Sequence, residues 1–427
     1  MTGAAAIKGR DGRLVPARRV APVHDSIVIS SHGIGAITLA ARLAREPVFA
    51  GRVTVAAKPV TETRQLIDGC TLRARSIDYY AAASGSSRDD IVARVYGQRA
   101  HAAETHRQMA GVARPHGNGV AFARVEPWMR NQGVKRDRTE GAPLAYGVRN
   151  SRLMAVLNEK AAQCGVRFDS SGAATYDELR ALSDGKNPLV VNGTPKPIKG
   201  ATWLHQPAAP KHFVAAAQMA FTAPQLETRG VLQRHDSFVG FIHRDGAIDM
   251  SVYYPFQDPL SPRAEYYGIF YRFVRDGSEA RREAHQRALR AELEAVGEAL
   301  GLQPDDPDET AAVAWVPASS WAFTRNRQHG VLDLSRISGA GAPIITGDGM
   351  TRAGLGAMAA AEALIEGGDP AEAMNRALTL YRRLNMVQAG GMAWTPGLSA
   401  WTLERAPRLA MLGPGKSRDW DMWAGAW

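Results

Sequence analysis

Residues 26–30, SIVIS, form an unbroken apolar run that stops at a glycine pair and reopens as the alanine-rich IGAITLAARLA. The pattern predicts a strand over 26–30, a glycine turn, and a helix from about 34 to 46. GRVTVAAKP, 51–59, starts on a glycine, carries β-branched residues and stops at a proline, so it predicts a second strand. Together these make a βαβ unit. A further helix is expected near 88–111, followed by a loop-rich stretch up to about 147. In VRNSRLMAVLNEKAAQCGVRF, Leu153, Leu157 and Ala161 recur every four residues on one helical face; Gly165 closes that helix before a strand. NPLVVNGTPKP, 187–197, predicts a buried strand that again ends on glycine.

From about 200 the texture changes. HFVAAAQMAF, SFVGFIHRDGAIDMSVYYPF and EYYGIFYRFV are rich in aromatic and β-branched residues, with RDG placed as a hairpin turn. These segments predict an antiparallel sheet with one face covering a pocket. Residues 279–300 have the spacing of an amphipathic helix. Residues 342–368, APIITGDGMTRAGLGAMAAAEALIEGG, then predict strand, glycine turn and alanine-rich helix once more.

The organisation expected is a basic, flexible arm at 1–25, a Rossmann-like nucleotide-binding domain at 26–200, and a substrate domain at 201–335. The nucleotide-binding domain resumes over 336–385, and a Trp-rich segment fills 386–427. The fold class is thus α/β, with a Rossmann-like domain interleaved with an antiparallel β-sheet domain and a C-terminal helical segment. A length of 427 residues suits two connected domains.

Composition narrows the chemistry. A hydrophobic content of 45% with 22% charged residues is that of a globular protein, and no apolar run is long enough for a membrane span. Cys70 and Cys164 provide neither a disulfide framework nor metal-ligand spacing, so a cytoplasmic protein without a structural metal is expected. The net charge of +10 is scattered along the chain and offset by 42 acids, which argues against nucleic acid and for an anionic cofactor or substrate.

The candidate site rests on two glycine turns more than three hundred residues apart, Gly33/Gly35 and Gly354/Gly356. The first helix would offer unpaired N–H groups and a partial positive charge to a pyrophosphate. Asp348, after Gly347, would accept hydrogen bonds from sugar or ribityl hydroxyls. The second helix, entered near Gly354, would stabilise negative charge at the far end of a long cofactor.

This order of elements resembles the flavoprotein monooxygenases of the p-hydroxybenzoate hydroxylase fold. The resemblance implies that the Gly33, Gly35 and Ala36 loop touches the pyrophosphate of FAD; in the same turn as Ser31, His32 either donates to a phosphate or fills the space a glycine would leave. It implies a flavin-contacting arginine in YGVRNSR, either Arg149 or Arg152. Gly347-Asp348 is similar to the family's Gly-Asp motif, and AGLGAM, 353–358, with Gly354, Gly356 and Ala357, to the segment beneath the flavin. Three positions depart from the family. Ser31 replaces the first fingerprint glycine. Ala57, followed by Lys58, replaces the acid that holds the adenosine ribose. Asn192-Gly193 replaces Asp-Gly. These departures resemble the two-component styrene and indole monooxygenases, whose oxygenase receives reduced FAD from a separate reductase.

The function implied is insertion of one oxygen atom into an aromatic or alkene-like small molecule through a flavin C4a-hydroperoxide. Reduced flavin would come from an NAD(P)H-dependent flavin reductase or from a nicotinamide cofactor directly. Two alternatives stay open: an FAD-dependent reductase or cyclase of an isoprenoid-type substrate, and a flavin-free small-molecule-binding relative. Tyr253, Phe256, Tyr271 and Trp321 are the candidate pocket residues, although strand alternation must send about half of the sheet aromatics into the core. No catalytic side chain is identified, and a homodimer stays open.

Overall fold

The computed structural model describes residues 6–8, 14–16, 23–59, 69–116, 119–130, 143–193, 198–201, 213–244, 247–257, 262–274, 283–306, 312–317, 331–334 and 349–379. The chain opens with a small antiparallel hairpin, β1 (Ala6–Lys8) and β2 (Leu14–Pro16), so the basic arm carries regular structure. β3 (Ser26–Ile29), α1 (Ile34–Ala44) and β4 (Val53–Val55) form the expected βαβ unit. Then come β5 (Gly69–Arg73), α2 (Ala74–Ser84), α3 (Arg88–Tyr96), a 3-10 segment over Gly97–Ala103 and β6 (Glu104–Thr105). β7 (Arg107–His116) and β8 (Gly119–Arg130) pair as a long hairpin; β9 (Ala145–Arg149), α4 (Asn150–Gln163), β10 (Arg167–Phe168), α5 (Tyr176–Ala181) and β11 (Pro188–Asn192) follow.

The aromatic-rich part comprises β12 (Phe213–Thr222), α6 (Leu226–Arg229), β13 (Asp236–Arg244), β14 (Ala247–Pro255) and β15 (Tyr266–Val274). It continues through α7 (Glu283–Ala299), β16 (Gln303–Pro304) and β17 (Ala312–Pro317). β18 (Val331–Asp333), α8 (Gly349–Glu366) and α9 (Pro370–Ala377) complete the described chain.

Five parallel strands lie in the order β10-β4-β3-β11-β18. In chain order this is 3-2-1-4-5, a doubly wound sheet whose strand order reverses between β3 and β11. Strand alternation gives each face its own core. Ile27 and Ile29 pack with Ile37, Leu39 and Leu43 of α1, while Val28 and Val190 face Leu179 of α5. With both faces covered, β3 and β11 are buried along their whole length.

The second sheet runs β16-β12-β15-β14-β13-β7-β8, with β17 also paired to β12. β13 and β14 form the predicted hairpin, in register from Phe238↔Tyr253 to Arg244↔Ala247. The helix expected at 88–111 ends at Tyr96. From Arg107 the chain becomes β7, which pairs parallel with β13 some 130 residues later. The loop-rich stretch is therefore largely the β7–β8 hairpin of the second sheet. A small sheet, β5-β9-β6, lies against β14 and β15 through two glycines. A Cβ on Gly147 would come 2.0 Å from Pro255 O, and one on Gly69 would come 2.1 Å from Tyr267 Cε1.

Candidate functional site

The reversal between β3 and β11 is where ligands bind in open α/β sheets. Here the chain leaves β3 through Ser30–Gly33 and enters α1. Gly33 is the helix N-cap with φ −58° and ψ 157°; among the described residues no side chain caps the helix, and its first turn holds no acid. The N–H groups of that turn thus keep their hydrogen-bonding capacity and their partial positive charge. Ala36 is buried, Gly35 and His32 are half-buried, and Gly33 is exposed. His32 Nδ1 is buried and makes no hydrogen bond among the described residues, and burial lowers the pKa of the imidazole.

Across the crevice, Gly193 follows β11. A Cβ there would lie 2.3 Å from Ser31 Oγ and 3.3 Å from Ala36 Cβ, so the two loops approach this closely because Gly193 has no side chain. Ser31 Oγ accepts from Gly33 N at 3.4 Å, and Ser30 Oγ accepts from Gly193 N at 3.1 Å. The serine that replaces the first fingerprint glycine therefore braces the loop. An uncapped helix end, an exposed glycine and an unbonded buried imidazole nitrogen together fit a diphosphate group.

Asn192 is 1% exposed at the end of β11. Its Oδ1 accepts from Ser30 Oγ at 3.4 Å, and its Nδ2 donates to Asp333 Oδ1 at 3.5 Å. Asp333 ends β18, paired in register with Asn192 at the end of β11. The short apolar repeat GVLDL was the available signal for it. Gly347 and Asp348 lie outside the described residues. At the end of β4, Ala57 packs on the core and Lys58 is exposed, so neither of these two residues offers a carboxylate there.

Arg149 and Arg152 separate clearly. Arg152 Nη2 donates to the carbonyl of Arg94 at 3.0 Å, in the last turn of α3, which gives it a helix-capping task. Arg149 is buried at the N-cap of α4, opposite Gly69 in the small sheet. The second glycine turn needs correction. α8 begins at Gly349, so Gly354, Gly356 and Ala357 are buried in its interior rather than forming its entrance. A Cβ on Gly354 would lie 3.0 Å from Tyr79 Cβ, and Gly35 of α1 faces Ala353. Small residues here let three helices pack closely.

The aromatic strands divide as alternation requires. Tyr253 was expected in the pocket. It lies instead under α7, fully buried beside Phe221, with its hydroxyl donating to Leu293 O. On the opposite face, Tyr254, Phe256, Tyr267, Ile269 and Tyr271 cluster with Ala216 and Ala220. Phe256 and Tyr267 have ring centroids 4.9 Å apart, and Tyr267 Oη donates to Gln218 Oε1 at 3.1 Å. Burial raises the pKa of Tyr254 well above the ordinary phenol value and raises that of Tyr271 too, so both hydroxyls stay protonated. This is the face on which Gly69 and Gly147 press, which brings the backbone of the Arg149 strand beside it. Trp321 lies outside the described residues.

No protein-family model matches the chain, and no curated protein matches it. Among solved structures, the fold is similar to that of the tetrameric form of 2-methyl-3-hydroxypyridine-5-carboxylic acid oxygenase. The TM-score is 0.53 at 13% identity, over 92% of this chain and 96% of the other. A geranylgeranyl bacteriochlorophyll reductase-like protein from Thermoplasma acidophilum is similar to the same degree, with a TM-score of 0.53 at 12% identity over 91% and 94%. The likeness is one of fold: an α/β chain in which a parallel, Rossmann-like sheet alternates with a mixed, largely antiparallel sheet.

Proposed function

We propose that the protein is an FAD-dependent monooxygenase that inserts one oxygen atom into an aromatic or alkene-like small molecule, using reduced FAD supplied by a partner reductase. The observation that carries this reading is the uncapped amino end of α1, set at the strand-order reversal against Gly193. Bound FAD would supply the oxygen-activating redox chemistry. The chain's own residues do the rest. The α1 N–H groups, Gly33 and His32 hold the pyrophosphate, and Lys58 adds charge at the adenosine end. Asp333 and, beyond it, Asp348 accept from sugar or ribityl hydroxyls. Arg149, on the strand seated beside the tyrosine face, would be the flavin-contacting arginine. That face orients an apolar substrate and excludes water from it.

Loose retention follows from Ala57. A carboxylate at this strand end would pair with the adenosine ribose, and an alanine makes no such bond. A cofactor that arrives reduced and leaves oxidised suits this weaker hold. The oxygenase of similar fold is named for a hydroxypyridine-carboxylic acid, an aromatic compound, which supports the substrate class. The equally similar reductase-like protein supports a second reading, reduction of an isoprenoid chain. Mixing the protein with photoreduced FAD, isotopically labelled oxygen and a panel of small aromatics and alkenes separates the two. A labelled monooxygenated product is expected. Reduction of an isoprenoid double bond without oxygen incorporation would give the second reading instead.

A further inference from the structure

Three side chains that take no part in the crevice or the tyrosine face converge where the small sheet meets the large one. His101 lies in the 3-10 segment that precedes β6, Glu104 opens β6, and His106 follows it. His101 Nδ1 and His106 Nε2 meet the same carboxylate oxygen, Glu104 Oε2, at 2.8 and 3.0 Å. One nitrogen or oxygen from each residue lies within 4.8 Å of the other two.

A fourth group frames this set. His235 adopts φ 69°, unusual for a residue with a side chain, immediately before β13. Its carbonyl accepts from His106 N at 2.9 Å, and its Nδ1 lies 3.2 Å from the Glu104 carbonyl. Its ring centroid is 4.5 Å from that of His101 and 5.4 Å from that of His106. The one guanidinium adjoining the set in sequence, Arg107, is engaged by both carboxylate oxygens of Asp236, at 2.8 and 2.6 Å. Its charge is thus paired with Asp236.

We infer that His101, Glu104 and His106 bind a divalent transition metal of the zinc type at the β6 corner, beside the start of β13. Two imidazoles and one carboxylate are a donor set that zinc accepts with one position left open, and imidazole disfavours magnesium and calcium. Tetrahedral bonds of about 2.0–2.1 Å set ligand atoms roughly 3.4 Å apart, so the two short contacts need open by only about half an ångström. Each neutral ring can move its single N–H to its other nitrogen, so coordination by neutral rings requires no proton loss. His235 would brace the metal-bearing corner through the Glu104 carbonyl, as outer groups commonly do around metal ligands. The sequence reading expected no metal; this proposal departs from it and stands independently of the flavin reading.

The test is calorimetric titration of the untagged, chelator-treated full chain with zinc chloride, alongside thermal unfolding. The expected result is one Zn²⁺ per chain and a rise in Tm, with no response to magnesium or calcium chloride. The double variant His101→Ala/His106→Ala should lose affinity at least by the roughly 10–100-fold that removal of an outer-shell partner costs. Glu104→Gln keeps the size and polarity of the side chain and should also bind more weakly. His24→Ala, a histidine outside the cluster, should bind as the parent does. Absence of one-to-one zinc binding by the parent would overturn the assignment. So would affinity unchanged in both the double variant and Glu104→Gln.

Discussion

Asn192 Nδ2 donates to Asp333 Oδ1 at 3.5 Å, joining the carboxyl ends of two neighbouring parallel strands. This contact accounts for the asparagine that stands where the resembled family has an aspartate: a second carboxylate at 192 would face Asp333 at hydrogen-bond distance. Asn192→Asp should therefore destabilise the protein by about 1–3 kcal/mol near neutral pH. The sign of its pH dependence follows. Repulsion raises a carboxylate pKa in the folded state, so the folded variant holds a proton that the unfolded chain has released. The deficit grows as pH rises above about 4 and fades below it. Denaturant unfolding of parent and variant at pH 4 and pH 8 measures it; an equal gap at both would contradict the pairing.

Gly147→Ala tests how the small sheet is seated. Its Cβ would sit 2.0 Å from a backbone oxygen, which cannot rotate away. A loss on the order of 1–3 kcal/mol is expected, the scale of overpacking. At Gly35, a Cβ meets only ordinary contacts, the nearest 3.5 Å away at Ala353 O, so Gly35→Ala should be neutral or stabilising. Paired thermal denaturation curves decide both.

Two tyrosines on opposite faces of the second sheet should behave differently. Tyr253→Phe removes a hydrogen bond to Leu293 O under α7 and should cost about 0.5–1.5 kcal/mol of stability while leaving flavin binding intact. Tyr271→Phe, on the opposite face, should alter substrate turnover more than stability. Equal effects of the two variants on turnover would contradict the assignment of faces.

Local signals account for what the sequence disclosed. The β3–α1–β4 unit and α7 were legible because their apolar spacing is complete within each segment. β7 was not, because it pairs with β13 across more than a hundred residues and its own sequence, RQMAGVARPH, has no strict alternation. Alternation separated Tyr253 from Tyr254, but only the placement of α7 decides which face is core. Gly354 and Gly356 looked like a turn because glycine serves both turns and close helix contacts; the contact with Tyr79 selects the latter. The cluster around Glu104 was hidden because His101 and His106 flank a change from helix to strand.

His32 should leave a mark on the pH dependence of the unliganded protein. Burial lowers its pKa in the folded state, so as pH falls the unfolded chain takes up the proton first. Its contribution is full above the ordinary histidine value, about 6.5, and is lost as pH falls below it. His24 and His235 are shifted the same way, chiefly by burial, so the parent should lose stability steadily between about pH 7 and pH 5. His32→Asn should show a shallower loss across the same window. Parallel Tm profiles would remove His32 from the account.

The amino end of α1 can be tested with its stability and its ligand separated. Gly33 has a backbone conformation open to any residue, and a Cβ there meets nothing closer than 3.8 Å. Gly33→Asp would supply the missing N-cap and should hold or raise Tm, yet it sets a negative charge where the pyrophosphate belongs. Anaerobic titration of parent and Gly33→Asp with reduced FAD is the most direct measurement. The account predicts saturable binding by the parent, tighter for reduced than for oxidised FAD, and weaker by about 1–2 kcal/mol or more in the folded variant. No binding of either redox form by the parent, or equal affinity in Gly33→Asp, would contradict it.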